Sequence, residues 1–159
     1  MRNWKPDTLY ILLLPVTLFF LGGCAEPPPP EQRVRQFVEE IETLAEEREF
    51  TTLVGYIAGD YLDVRGNDKL KAAGILRAFY LRYKAVHLHL RIADIRTPTP
   101  DRAAVTVYVA MAQRAFPESG GTLPDADFFR VELELAAHGD SYEILQSEWQ
   151  RASAADVLF

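Results

Sequence analysis

Apolar side chains recur in steps of three and four between residues 31 and 49, at Val34, Phe37, Val38, Ile41, Leu44 and Ala45. That period predicts one amphipathic helix. Glu39, Glu40, Glu42, Glu46, Glu47 and Glu49 take the other faces and read as a solvated surface. A shorter helical segment comes next over about residues 51–58, with Leu53, Val54 and Ile57 on one face and Gly59-Asp60 at its end. Tyr61 to Asp68 is rich in turn residues, and Asn67 or Asp68 can cap a third helix. Leu70, Ala73, Leu76, Phe79, Tyr80 and Tyr83 mark the buried stripe of that helix.

From Val86 the period drops to two, the signature of half-buried strands. Val86, Leu88, Leu90 and Ile92 alternate with His87, His89, Arg91 and Ala93. A turn built on Pro98 and Pro100-Asp101 leads to Val105, Val107, Val109 and Met111, with Thr106 and Tyr108 on the opposite face. Beyond a loop from Arg114 to Asp125, Phe129, Val131, Leu133 and Leu135 alternate with Phe128, Arg130, Glu132 and Glu134. His138-Gly139-Asp140 turns the chain into a last strand over about residues 142–151. Its apolar phase slips between Ile144 and Leu145, which suits a bulge. Three helices and then four strands joined by turns predict an α+β domain, the helices packed on one face of a curved antiparallel sheet.

Composition narrows the function more than it names it. The 159 residues fit one domain. A net charge of −6 without a Lys/Arg cluster argues against a nucleic-acid partner. The single cysteine excludes an internal disulfide framework and a thiolate-rich zinc site. The chain lacks G-x-S-x-G, Walker A and strand-linked G-x-G-x-x-G patterns, so no cofactor is expected.

The three predicted inner rows carry no ionisable group. Asp94 continues the first of them, and Asp60 and Asp63 sit at the turn before the third helix. These three are the weak candidates for a catalytic carboxylate; turn and cap duty is the simpler reading of Asp60 and Asp63, because short Asp side chains bond local backbone N–H groups. Tyr56, Tyr61, Tyr80 and Tyr83, with Val107, Phe129 and Trp149, are candidates to line a pocket. His87 and His89 share a strand face with Arg91 and have no evident third partner, so no metal is expected. On the outer face Tyr108, Phe128 and Arg130 mix aromatics with charge, as the centre of a homodimer or partner interface would.

Residues 1–23 do not read as fold. Arg2 and Lys5 precede the uncharged run Leu9–Leu21, 13 residues broken by Pro15. As a helix that run is roughly 20 Å long, short of a ~30 Å hydrocarbon core and suited to a signal-peptide core. Leu21-Gly22-Gly23-Cys24 comes directly after it and resembles the lipobox of bacterial lipoproteins. The resemblance implies cleavage before Cys24 and lipid attachment to it, which anchors the mature chain to a membrane. Ala25, where a retention aspartate is absent, leans towards the outer membrane facing the periplasm. Residues 24–30 are then the lipidated cysteine and a proline-rich tether, because Pro27–Pro30 favour a stiff polyproline II spacer. Residues 31–159 form the domain.

The order of elements resembles the nuclear transport factor 2-like superfamily, the cone-shaped, cystatin-like α+β fold that includes SnoaL-like proteins. Gly59-Asp60-Tyr61-Leu62-Asp63, Gly66-Asn67-Asp68-Lys69, Phe79-Tyr80-Leu81-Arg82-Tyr83 and the closing Glu148-Trp149-Gln150-Arg151 carry the likeness. It implies three helices on a four-stranded sheet with an apolar pocket at the open end. The expected activity is binding of a small apolar ligand or an envelope protein partner. The alternatives are a cofactor-independent dehydratase or isomerase, and a structural adaptor working through the outer sheet face.

Overall fold

The computed structural model describes residues 28–117 and 124–158. The expected leader, Cys24 and the first part of the tether lie outside them, as does the middle of the loop before the third strand. Helix α1 spans Pro30–Glu46, α2 Phe50–Gly55 and α3 Lys69–Arg82; strands β1 His87–Thr99, β2 Arg102–Ala112, β3 Ala126–His138 and β4 Ser141–Arg151 come after them, and α4 Ala154–Leu158 closes the chain. The four strands form one antiparallel meander in the order β1-β2-β3-β4. Among the described residues no helix is long and apolar enough to cross a membrane.

Proline starts α1 where its missing N–H costs nothing: Pro29 is the N-cap in an extended conformation and Pro30 is the first helical residue. Glu31 sits in the first turn, where the helix dipole favours an acid. The helix ends in a Schellman motif. The Glu49 N–H reaches the Leu44 carbonyl at 2.9 Å and the Arg48 N–H reaches Ala45 at 3.3 Å. Arg48 holds the left-handed conformation usually given to glycine, with φ 63°.

The inner rows of the sheet meet α1 as the alternation requires. Val34, Phe37 and Val38 pack on Val105, Val107, Val109, Val131, Leu135 and Tyr142, all buried. Phe37 is edge-on to Tyr56 at 5.5 Å and to Tyr142 at 6.0 Å. This packing joins α1 to the inner face of the sheet. A smaller cluster joins Leu53, Tyr80 and Val86 to Leu76, Phe79, Tyr83 and Met111 at the far end of α1.

Four features differ from the pattern-based expectation. The second helix stops at Gly55, and the chain then runs along β4, with Ile57 bridging Ile144 in parallel. Leu70 is 82% exposed, because only the C-terminal half of α3 packs against the other helices. Strand β1 continues through Pro98 to Thr99, a proline tolerated on an edge strand. Helix α4 lies beyond the elements that the periodicity predicts. Ser153 caps it: its Oγ lies 2.7 Å from Asp156 Oδ2, and the same carboxylate accepts the Ser153 N–H at 2.9 Å. The slip expected near Ile144 is present, as a register shift that leaves Leu145 unpaired.

Candidate functional site

The three candidate carboxylates do not enter the cone. A register shift between Ile92 and Asp94 reverses the face of β1, so Ile95 joins the inner row and Asp94 pairs with Thr106 on the outer face. There Asp94 is exposed and lies 3.3 Å from Arg96 Nε. This corrects the inward placement expected for Asp94. Asp60 is exposed in a turn. Asp63 is committed to its own loop: Oδ1 accepts the N–H groups of Arg65 and Asn67, both at 2.8 Å, and Oδ2 accepts the Asn67 amide at 2.6 Å. Partial burial pushes its carboxyl up, but the bonds from Asn67 and Arg65 outweigh that and hold it below the usual range.

The candidate pocket residues are dispersed. Tyr56 donates to Glu40 at 2.6 Å, Tyr80 donates to the Ala45 carbonyl at 2.9 Å, and the Tyr61 hydroxyl lies 2.7 Å from that of Ser147. The Glu40 bond raises the Tyr56 phenol; burial raises those of Tyr61 and Tyr80, with Ser147 and Arg48 respectively opposing. All three stay protonated near neutral pH, so none serves as a phenolate base. Val107 is buried in the core beneath α1. Phe129 and Trp149 meet edge-on at 5.8 Å on the inner face, Trp149 being 44% exposed.

Tyr83 alone of that set lines a depression, of about 240 Å³, at the open end of the sheet. Phe79, Val86, Met111, Gln113 and Asp127 share it. Phe79 and Tyr83 form an aromatic wall, their centroids 4.8 Å apart. Asp127 pairs with Met111 and so extends the inner row of β3 to the mouth of the cone. The alternation that placed Phe129 inward also places Asp127 inward, a signal legible in the sequence. Its Oδ1 accepts Arg151 Nη1 at 2.6 Å, and Arg151 lies 5.3 Å over the Phe129 ring.

On the outer face α4 covers part of the expected interface. Val157 is fully buried there. Arg91 lies 4.8 Å over the Tyr108 ring, donates from Nε to the Val157 carbonyl at 3.2 Å, and also bonds the Asp156 carbonyl. Tyr108 is thus occupied by this chain's own Arg91. Phe128 is half-buried, and Arg130 is paired with Glu132. His87 and His89 lie opposite Ala112 and Ala110, and among the described residues no three His, Cys, Asp or Glu side chains converge to hold a metal.

The chain matches no family model and no curated protein. Solved structures match it in fold. A protein assigned as a scytalone dehydratase from Novosphingobium aromaticivorans superposes with a TM-score of 0.64 at 11% identity, over 77% of this chain and 84% of that one. A cystatin-like-fold protein of unknown function from Nostoc punctiforme gives 0.60 at 12% identity, over 78% and 92%. Bd1075 of Bdellovibrio bacteriovorus gives 0.59 at 17% identity over 77% of this chain; the match spans only 41% of Bd1075. The chain has the cystatin-like, nuclear transport factor 2-like fold, and at these identities the likeness establishes the fold alone.

Proposed function

We propose that this is a lipid-anchored protein of the bacterial cell envelope whose domain binds a protein partner and performs no chemistry of its own. The observation that carries the reading is the close packing of α1 on the inner rows of the sheet. Val34, Phe37 and Val38 are buried against Val105, Val107, Val109, Val131 and Leu135, with Phe37 only 2% exposed. A carboxylate tuned for proton transfer needs burial or a charged neighbour that shifts it towards neutrality. Asp60, Asp63 and Asp94 are instead exposed or tied to local hydrogen bonds. Binding surfaces remain on the outside.

The address supports the same reading. Leu21-Gly22-Gly23-Cys24 ends an uncharged run of suitable length, and three prolines separate Cys24 from α1. That arrangement tethers the domain at a membrane surface, facing the periplasm and leaning towards the outer membrane.

A second reading rests on the open-end depression. Its aromatic wall and Met111 suit a small apolar group, and about 240 Å³ is below the roughly 300–1,000 Å³ of drug-sized pockets. Native mass spectrometry of the protein extracted gently from its own membranes separates the two. The expected spectrum is the lipidated chain without a stoichiometric small-molecule adduct. A constant added mass that is not lipid anchor overturns the protein-binding reading and favours the depression.

A further inference from the structure

We propose that the outer face of the sheet holds a receptor for a basic side chain, and that the partner docks a lysine- or arginine-bearing segment there. The inference rests on the protein-binding reading above and names the chemistry of the contact. Register places two rows of side chains on this face. One runs Asp94, Thr106, Glu132, Glu148 across the four strands; the next runs Arg96, Ala104, Glu134, Gln146. The small Ala104 and Thr106 leave a depression of about 140 Å³, rimmed by Arg96, Glu132, Glu134 and Glu148.

Thr106 is the observation that points to a ligand. It is only 8% exposed, lies on the floor of the depression, and among the described residues its hydroxyl has no hydrogen-bond partner. Among the described residues no buried side-chain oxygen is left without a partner, so the Thr106 hydroxyl opens into the depression, where its oxygen can accept an ammonium or guanidinium N–H. The rim supplies the matching charge. Glu132 and Glu148 face each other directly on neighbouring strands, a like-charge pair that Arg130 compensates on the Glu132 side only. Arg130 and Gln150 bond these two carboxylates along their own strands, and Arg96 is paired with Asp94; Glu134 has no ion pair among the described residues. Four carboxylates thus stand against two guanidiniums on this part of the face. At about 140 Å³ the depression matches one extended side chain rather than a folded surface feature.

The test is fluorescence anisotropy of fluorescein-labelled tetralysine with the full-length protein in phosphatidylcholine nanodiscs at fixed ionic strength. Glu134→Gln with Glu148→Gln is expected to weaken binding about tenfold, and Thr106→Val a few-fold. A control, Glu39→Gln with Glu47→Gln, removes the same charge from α1 and is expected to change binding by less than about twofold. Equal loss in both double variants means unspecific attraction to an acidic protein and overturns the inference, as does absence of tetralysine binding by the unaltered chain. Either result, obtained while the membrane-extracted protein carries no small-molecule mass, leaves the protein-binding reading standing and moves the contact elsewhere. Thermal melts of each variant confirm that the fold is intact.

Discussion

The guanidinium of Arg48 lies 4.9 Å over the ring of Tyr80, and the hydroxyl of that same tyrosine reaches back to Ala45, three residues before the arginine. Arg48 further donates to the Tyr80 carbonyl at 2.5 Å, to Lys84 at 3.0 Å and to Tyr83. One side chain therefore closes the end of α1 and satisfies the free carbonyls at the end of α3. Those contacts offset the cost of a left-handed arginine, about 1–2 kcal/mol.

Backbone and side-chain effects at this position separate by substitution. Arg48→Ala loses the clamp and keeps the left-handed backbone, and is expected to destabilise by about 2–3 kcal/mol. Arg48→Gly loses the clamp but relieves the backbone, so it is expected to be less damaging by about 1 kcal/mol. Urea unfolding of the two variants measures the difference; equal midpoints would mean that the conformation at residue 48 is unstrained.

Phe37 is buried between α1 and the sheet. Phe37→Ala is expected to cost about 3–5 kcal/mol and to leave a cavity beneath Tyr56 and Tyr142. Denaturant midpoints give the loss. Benzene or another small apolar probe is then expected to restore part of it by occupying the vacated space.

Acid titration should reveal Glu42. Burial, then repulsion from Glu46, raises its carboxyl above the ordinary value of 4.5, while the Leu90 N–H pulls the other way and Glu39 adds to the rise. A raised folded value means the stabilising form is the protonated one. Its contribution is complete below 4.5 and disappears as pH climbs through the folded value. Glu42→Gln keeps an acceptor for Leu90 without the charge. The variant is expected to be more stable than the unaltered chain near neutral pH, with the difference closing below 4.5. A pH-independent difference would remove electrostatics as its cause.

Arg91 fastens α4 to the sheet. Arg91→Ala is expected to cost about 1–3 kcal/mol. Amide exchange at Asp156 and Val157 should rise before that of the central strands. Uniform loss of protection across β2 would show instead that α4 and the sheet unfold as one unit.

The membrane address has its own test. Cys24→Ser is expected to leave the protein unlipidated and to shift it out of the membrane fraction. A serine variant that still sediments with membranes and carries lipid mass would end the lipobox reading.

The strands were legible because every second residue from Leu88 to Ile92, Val105 to Met111 and Phe129 to Leu135 is apolar, and period two survives folding intact. Asp94 was misplaced for a local reason. Ala93 is apolar but small, so the alternation carries no mark of the residue at which the register shifts. Leu70 fits the stripe of α3 by spacing, yet spacing does not reveal how far along a helix its neighbours reach. Ser153-Ala154-Ala155-Asp156 was readable as a capping box, but five helical residues are too few to show a period. The tyrosines of the candidate pocket dispersed because their hydroxyls bond Glu40, Ala45 and Ser147, partners fixed by tertiary position.

Each margin of the sheet is covered over part of its length, one by a carboxylate and the other by chain. Glu46 accepts the Leu88 N–H at 2.7 Å on the β1 side, and the stretch from Tyr56 to Leu62 bonds Ile144 and Leu145 on the β4 side. A meander with two bare margins is a bivalent monomer, able to add strands without limit. Here the valence is quenched at the base of β1 and along the middle of β4. At those two stretches an incoming strand finds the backbone groups already bonded.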